Sequence, residues 1–177
     1  MWRRLLVPDH IPLELFHMTV QDSFGWLNCH LHEFEPQGGP LKGARIGMTD
    51  PEVDPPPELL DETKFLLGAL GLAEGDRVRY WYDFGDDWVH EILVEKLLAP
   101  AGLKGLPVCT DGARACPPED CGGPGGYADL LEALADPKTE EQKEIVEWVG
   151  GNFDPEDFNV SRTNKMLTQC RRATASP

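Results

Sequence analysis

Residues 78–94 read VRYWYDFGDDWVHEILV, and this stretch decides the fold. Val78, Tyr80, Tyr82 and Phe84 alternate with other residues, then Gly85-Asp86-Asp87 interrupts, then Trp88, His90, Ile92 and Val94 alternate again. A period of two marks strands, and the Gly/Asp interruption marks the turn between them. A three-residue loop would pair Phe84 with Trp88 and Tyr82 with His90, placing both apolar sets on one face. A two-residue Gly-Asp loop would instead set Asp83 opposite Trp88. The hydrophobic match favours the first. The reading predicts an α+β domain: an antiparallel sheet centred on this long aromatic hairpin (76–96), with helices packed on one face.

Upstream of the ribbon, Arg3 to Pro8 reads as a short strand. Pro12 suits the first turn of a helix, and Leu13, Phe16, Val20 and Phe24 recur at spacings of three and four until Gly25. From Trp26 to Phe34 the pattern alternates, with Leu27, Cys29 and Leu31 on one side and Asn28, His30 and His32 on the other, which predicts a strand. The Gly- and Pro-rich stretch 35–57 is expected to be a long excursion with a short strand near Ala44 to Met48. Glu58 to Leu70 reads as a helix on Leu59, Leu66, Leu67 and Leu70, stopped by Gly71. Downstream, residues 98–126 read as a second long loop, and Tyr127 to Ala135 as a helix. Thr139 with Gln142 forms a capping box opening a helix through Ile145, Val146 and Trp148, and Gly150-Gly151 ends it. A last helix is expected from Ser161 to about Arg171. One domain spanning 1–177 accounts for the whole pattern, because neither flank of the 35–57 excursion carries a complete core.

The composition fits such a domain. In 177 residues, 41% are hydrophobic, and five Trp, seven Phe and three Tyr can fill a core. Acids outnumber bases 31 to 16, a net charge of −15. That surface repels a phosphate backbone and argues against nucleic acid, except at clustered cations. There are two small clusters: Arg3-Arg4, and the tail with Arg162, Lys165, Arg171 and Arg172, where no acid follows Asp157. No apolar run approaches the roughly 20 residues of a membrane span. The opening residues carry no signal segment, and the five Cys are an odd number. The expectation is a cytoplasmic, reducing compartment with free thiols or metal ligands rather than disulfides.

Chemistry is concentrated in few places. Asp83, Asp86, Asp87, His90 and Glu91 crowd the hairpin tip. Turn formation and packing beside the aromatics account for them, and so does a carboxylate–imidazole cluster able to hold a cation or move a proton. His30 and His32 share one face of the expected strand, suiting a metal, a polar cleft or solvent. Cys109, Cys116 and Cys121 fall in one expected loop, with six and four residues between them. With His90 or another histidine as a fourth ligand they would hold zinc, although the spacing is not a tight Cys-x-x-Cys knuckle. Asp83-Phe84-Gly85 matches the metal-binding tripeptide of kinases, but none of the other kinase motifs accompanies it. Gly122 to Gly126 precedes a helix without the Lys-Ser/Thr of a phosphate loop.

Taken together, Trp2-Arg3-Arg4, Phe24-Gly25-Trp26, His30-Leu31-His32-Glu33-Phe34, Tyr82 to Trp88 with His90, Cys116-Pro117-Pro118-Glu119-Asp120-Cys121-Gly122-Gly123, Gly126-Tyr127 and Phe153-Asp154-Pro155 resemble the Ri-plasmid ORF-three-like family. The match runs in order along nearly the whole chain. The resemblance implies an α+β domain of bacteria and archaea, carried on plasmids or insertion elements and sometimes labelled a TnpR-type passenger protein. It brings no established activity. The label suggests a resolvase, but Ser23, Ser161 and Ser176 lack the clustered arginines of a serine recombinase. The resemblance also implies a further strand ahead of Trp2, where this sequence has Met1: either the start lies further upstream or the strand is absent, and in the second case a neighbouring strand is expected to have an unpaired edge.

These readings predict a non-catalytic binding module, an accessory protein of a mobile element or its host, for an unknown protein or small-molecule ligand. Its surface would combine His30, His32, Asp83, Asp86, Asp87, Trp88, His90, Glu119 and Asp120. The alternatives are a metal-dependent enzyme using the hairpin-tip acids with Cys109, Cys116, Cys121 and His90, and nucleic-acid binding through the basic C-terminal helix. The composite surface requires that the hairpin tip and the Cys-bearing connector meet.

Overall fold

The alternating ribbon forms the expected hairpin, β5 (Arg77–Tyr82) and β6 (Trp88–Leu93), in a computed structural model that describes residues 1–48, 56, 58–99 and 107–167. Its register differs from the expectation. Tyr82 pairs with Trp88, Tyr80 with His90 and Val78 with Ile92, so the loop has five residues, Asp83 to Asp87. The cause is local. Asp83 turns its Oδ1 back onto the amides of Gly85 (3.0 Å) and Asp86 (3.3 Å), and its carbonyl accepts from Asp87 N–H (2.7 Å). Asp83 and Asp87 both sit at positive φ, 55° and 57°. Phe84 leaves the ladder and packs tilted against Trp81, ring centroids 4.7 Å apart. A shift of two residues preserves parity, so the aromatic face survives.

The sheet has five strands in the order β4-β3-β2-β5-β6, with β2 (His32–Pro36) in the middle, joined to β5 antiparallel. β3 (Arg45–Gly47) supplies the short strand expected in the 35–57 excursion. It pairs antiparallel with β2 and parallel with β4 (Leu59–Asp61). The helix expected over Glu58 to Leu70 is therefore replaced by β4 and two single helical turns, Glu62–Lys64 and Leu67–Leu70. Tertiary hydrogen bonds outweigh the helical spacing of its leucines. Leu67 N–H donates to Ile11 O (2.9 Å), Gly68 N–H to Asp9 O (2.6 Å), and Phe65 O accepts from Leu13 N–H (3.0 Å).

α1 (Leu13–Phe24) packs its apolar stripe on one face of the sheet and ends at Gly25, φ 96°. Phe16 stacks on Phe34 at 5.6 Å, and Leu13, Phe16, Val20, Phe34, Ile46, Tyr80 and Tyr82 are buried in one cluster. Each large apolar side chain so buried stabilises the fold by roughly 1.5–3 kcal/mol. The opposite face carries cross-strand charge pairs: Arg77 with Glu91 (2.8 Å), Arg79 with Glu35 (3.5 Å) and Arg45 with Glu33. One packed and one wet face is the usual state of an antiparallel sheet. This is the α+β class the ribbon predicts.

A second, two-stranded sheet pairs β1 (Trp2–Leu6) with β7 (Val108–Ala113). β7 lies inside the stretch expected to be one loop, so Cys109 sits on a strand, apart from the segment bearing Cys116 and Cys121. Among the described residues three helices follow: α2 (Gly123–Ala135), α3 (Glu140–Trp148) with the predicted Thr139/Gln142 capping box, and α4 (Val160–Met166). The expected end of the last helix near Arg171 lies outside the described residues. Among the described residues no helix is long and apolar enough to cross a membrane, and Cys29, Cys109, Cys116 and Cys121 are free thiols.

Candidate functional site

The segment 26–31 is not the strand its alternation suggests. Leu27 and Leu31 are exposed, and Asn28 takes a left-handed φ of 55°. That reversal separates the two histidines expected on one face. His32 enters β2 and turns inward against α1, whereas His30 stands outside the sheet beside the hairpin tip.

His30 Nε2 faces three carboxylates: Asp120 Oδ1 at 3.2 Å, Asp83 Oδ2 at 3.6 Å and Glu119 Oε2 at 3.9 Å. The ring nitrogen is buried and makes no hydrogen bond among the described residues. Two of the acids are held by their other oxygen. Asp83 Oδ1 is fixed by the turn amides of Gly85 and Asp86. Glu119 Oε1 accepts from Tyr82 Oη–H (3.0 Å) and Leu27 N–H (2.8 Å), and Tyr82 Oη in turn accepts from Cys29 N–H (3.2 Å). One oxygen of each is thus tethered while the other turns to His30. No Lys or Arg pairs with Asp83, Glu119 or Asp120 among the described residues, so their charge is compensated by at most one imidazole. Two triads place their ligand atoms within 4.8 Å of one another: His30, Asp83 and Asp120, and Cys29, His30 and Glu119.

The hairpin tip and the Cys-bearing connector do meet. Gly122 N–H donates to Asp86 Oδ2 (3.0 Å), and Trp26 Nε1–H to Pro117 O (3.0 Å). Gly123 lies so close to the tip that a Cβ there would stand 2.1 Å from Asp86 O. Of the residues expected at the site, His30, Asp83, Glu119 and Asp120 gather; Asp86 clamps the connector, and Asp87 is exposed and shapes the turn.

The others go elsewhere. Trp88 is buried between Trp26 (5.9 Å) and Tyr127 (6.4 Å). His90 packs among Phe24, Trp26 and Tyr80 at 5.1–5.4 Å, and burial pushes its imidazole down to about 4. The Cys109–Cys116–Cys121–His90 set does not form a cluster of ligand atoms. Burial raises all three thiols, Cys121 to about 11. The basic clusters are also engaged. Arg3 donates to Ser23 O and Ala113 O, Arg4 pairs with Glu95 (2.8 Å), and Arg162 with Asp157 (2.6 Å). Arg171 and Arg172 lie outside the described residues.

Four functional-looking residues were given no functional role by the sequence: His17, Gln21, Asn28 and Glu62. Gln21 Nε2–H donates to Tyr80 Oη (2.9 Å), which lies 2.8 Å from His17 Nδ1. His17 Nε2 lies 2.6 Å from Asn28 Oδ1, and Asn28 N–H returns to Gln21 Oε1 (3.1 Å). Nε2–H donates to the Asn28 carbonyl oxygen, and Tyr80 Oη–H donating to Nδ1 completes the ring with a neutral imidazole, the form that burial favours. Burial, with the His32 ring stacked on it at 3.5 Å, pushes His17 down to about 3. His32 Nε2 meets Glu62 Oε2 at 2.7 Å. The one signal in the sequence was a histidine at position 17 within the apolar stripe of α1, four residues after Leu13.

The family model described as plasmid pRiA4b ORF-3-like protein matches residues 1–162. The chain belongs to this family. This ORF-3-like chain is 38% identical over 167 residues to the uncharacterized protein y4hQ of Sinorhizobium fredii, covering 93% of this chain and 82% of that one. It is also similar to the crystal structure of MM3350 from Methanosarcina mazei Go1, a protein of unknown function. There the TM-score is 0.77 at 36% identity, over 90% of this chain and 87% of the other. In the ORF-3-like chain, the motifs that carry the resemblance are the pieces of the site: His30 precedes β2, Asp83 opens the hairpin loop, and Glu119-Asp120 lies between two cysteines.

Proposed function

We propose that this ORF-3-like protein is a non-catalytic binding module whose ligand is a divalent cation held by His30, Asp83, Glu119 and Asp120. One observation carries the reading: Asp83 and Glu119 each tether one oxygen and turn the other toward a buried, unbonded imidazole nitrogen. The spacing supports it. Ligand atoms about 2.1 Å from a tetrahedral ion stand about 3.4 Å apart. Asp120 and Asp83 oxygens stand 3.2 and 3.6 Å from His30 Nε2 and close one triad with it, while Glu119, 3.9 Å from Nε2, belongs to the second triad with Cys29 and completes the shell by turning toward the first. Tethers of this kind orient first ligands and limit their rearrangement on binding. One imidazole among carboxylates favours zinc, manganese or ferrous iron over calcium, which prefers an all-oxygen shell. The net charge of −15 draws cations toward the surface. The family's plasmid name supports an accessory role for a mobile element or its host.

The test is metal analysis of protein purified without an affinity tag, followed by competition titration with zinc and manganese. One equivalent of metal is expected. His30→Ala should weaken binding by at least ~100-fold, more than loss of an outer partner usually costs. Cys116→Ser with Cys121→Ser should leave binding unchanged. Substoichiometric metal, or equal affinity in His30→Ala, would end the proposal. A second reading rests on one feature. The Asp120 side chain is 72% exposed, so the site opens to solvent on that side, as a hydrolytic metal centre requires. Metal-dependent turnover lost in His30→Ala would favour that enzyme over the binding module.

A further inference from the structure

A second polar site lies beside α1, independent of the cation cluster. A cavity of about 340 Å³ is walled by Leu15, Met18 and Met48 and carries His32, Glu62 and Glu14. His32 is 3% exposed at its side chain, and its Nδ1 is buried without a hydrogen bond among the described residues. Its Nε2 is committed to Glu62 at 2.7 Å. The neighbouring imidazole offers nothing further, because Tyr80 and Asn28 occupy both nitrogens of His17. With the His32 proton on Nε2, the open Nδ1 is a lone-pair acceptor. Asn28 and Thr63 also line this space, but their side chains are engaged, Asn28 with His17 and Met18 and Thr63 with Asp61, so the polar groups left for a ligand are the imidazole acceptor and two carboxylates, beside an aliphatic and thioether wall.

We propose that this cavity binds a small organic amine. The ammonium group donates to His32 Nδ1 and is neutralised by Glu62 and Glu14. The apolar body lies against Leu15, Met18 and Met48. The volume is at the small end of ligand sites, which limits the occupant to a compact molecule. Among the described residues, an anion would meet two carboxylates and no arginine or lysine in the wall.

Cyclohexylamine, cyclohexanol and cyclohexanecarboxylate share a body and differ in the head group. Each is titrated into full-length protein labelled with ¹⁵N-histidine, followed by the imidazole nitrogen resonances. The amine is expected to bind saturably and to move the His32 Nδ1 resonance, and the carboxylate not to bind. Glu62→Gln should weaken the amine about tenfold, the usual loss for a charged hydrogen-bond partner. Because Glu62 is buried, Thr63→Phe is the second variant. Thr63 is an exposed lining residue, and the larger ring should block entry while leaving His32 and Glu62 paired. Asp120→Asn should leave amine binding intact. Absence of saturable amine binding, equal binding of the carboxylate, or loss in Asp120→Asn with none in Thr63→Phe overturns the proposal.

Discussion

Gly123→Ala is expected to lower stability by about 3 kcal/mol or more, and the neighbouring Gly125→Ala to leave it unchanged or raise it slightly. Gly123 has a φ of 67°, and an added Cβ would meet Asp86 O at 2.1 Å and Asp86 C at 3.0 Å. The first term is backbone strain of about 1–3 kcal/mol for a left-handed non-glycine residue. The second is a steric conflict with main chain, which cannot rotate away as a side chain can, and overpacking of this kind typically costs about 1–3 kcal/mol. Gly125 lies in the same helix with nothing within 4 Å of its Cβ position. There the usual gain of replacing a helical glycine, about 0.5–1 kcal/mol, is unopposed. In a domain of this size a loss of 3 kcal/mol lowers Tm by roughly 6–12 °C. Thermal and urea unfolding of the two variants checks the contrast. Equal stability of Gly123→Ala and wild type would show that the connector does not rest on the hairpin tip as described.

The same substitution reports on the site. Gly122 N–H bonds Asp86 Oδ2, and Gly123 abuts the Asp86 carbonyl. Asp83 stands on one side of this junction and Glu119 and Asp120 on the other. Forcing the junction apart separates the carboxylates that surround His30. Cation affinity should therefore fall in Gly123→Ala and not in Gly125→Ala, although neither glycine offers a ligand atom.

Much of the fold was legible because its signals are local. Alternation from Val78 to Val94 reports a strand face, and the face is right even though the register is displaced by two residues. The displacement depends on where the Asp83 carboxylate folds, which alternation does not encode. Thr139 and Gln142 mark a helix start because both partners lie within one turn. Glu58 to Leu70 misleads because the leucine spacing is helical, while the hydrogen bonds that settle the matter come from Asp9, Ile11 and Leu13. The site was legible in part for the same reason. Asp83, Glu119 and Asp120 sit in dense polar loops that attract notice. The separation of His30 from His32 depends on the positive φ of Asn28, and Asn28 is held by His17 and Gln21 on the preceding helix, 11 and 7 residues earlier. The thiols show the converse: three cysteines within 13 positions, 109–121, look like one site, yet a strand carries off the first.

The buried histidines predict that stability declines as pH falls through the mildly acidic range, before most exposed carboxylates titrate. His17 is held down to about 3 and His90 to about 4, in both cases chiefly by burial. In the unfolded chain each imidazole has its ordinary value near 6.5. Between these values the unfolded state binds protons that the folded state refuses, so acid favours unfolding. The contribution is fully present above about pH 6.5 and is lost progressively as pH drops toward the folded values. Each histidine adds a slope of up to about 1.4 kcal/mol per pH unit, and the shifts correspond to roughly 3–5 kcal/mol apiece over the full window. Urea unfolding between about pH 6 and pH 5 should show both slopes together, about 2–3 kcal/mol per unit. His90→Phe removes one titrating group and keeps an aromatic ring among Phe24, Trp26 and Tyr80. Its profile should be flatter by about 1.4 kcal/mol per unit, whatever its stability at neutral pH. An unchanged slope in His90→Phe would mean that His90 is protonated in the folded protein. The aromatic cluster around it would then have to accommodate a cation.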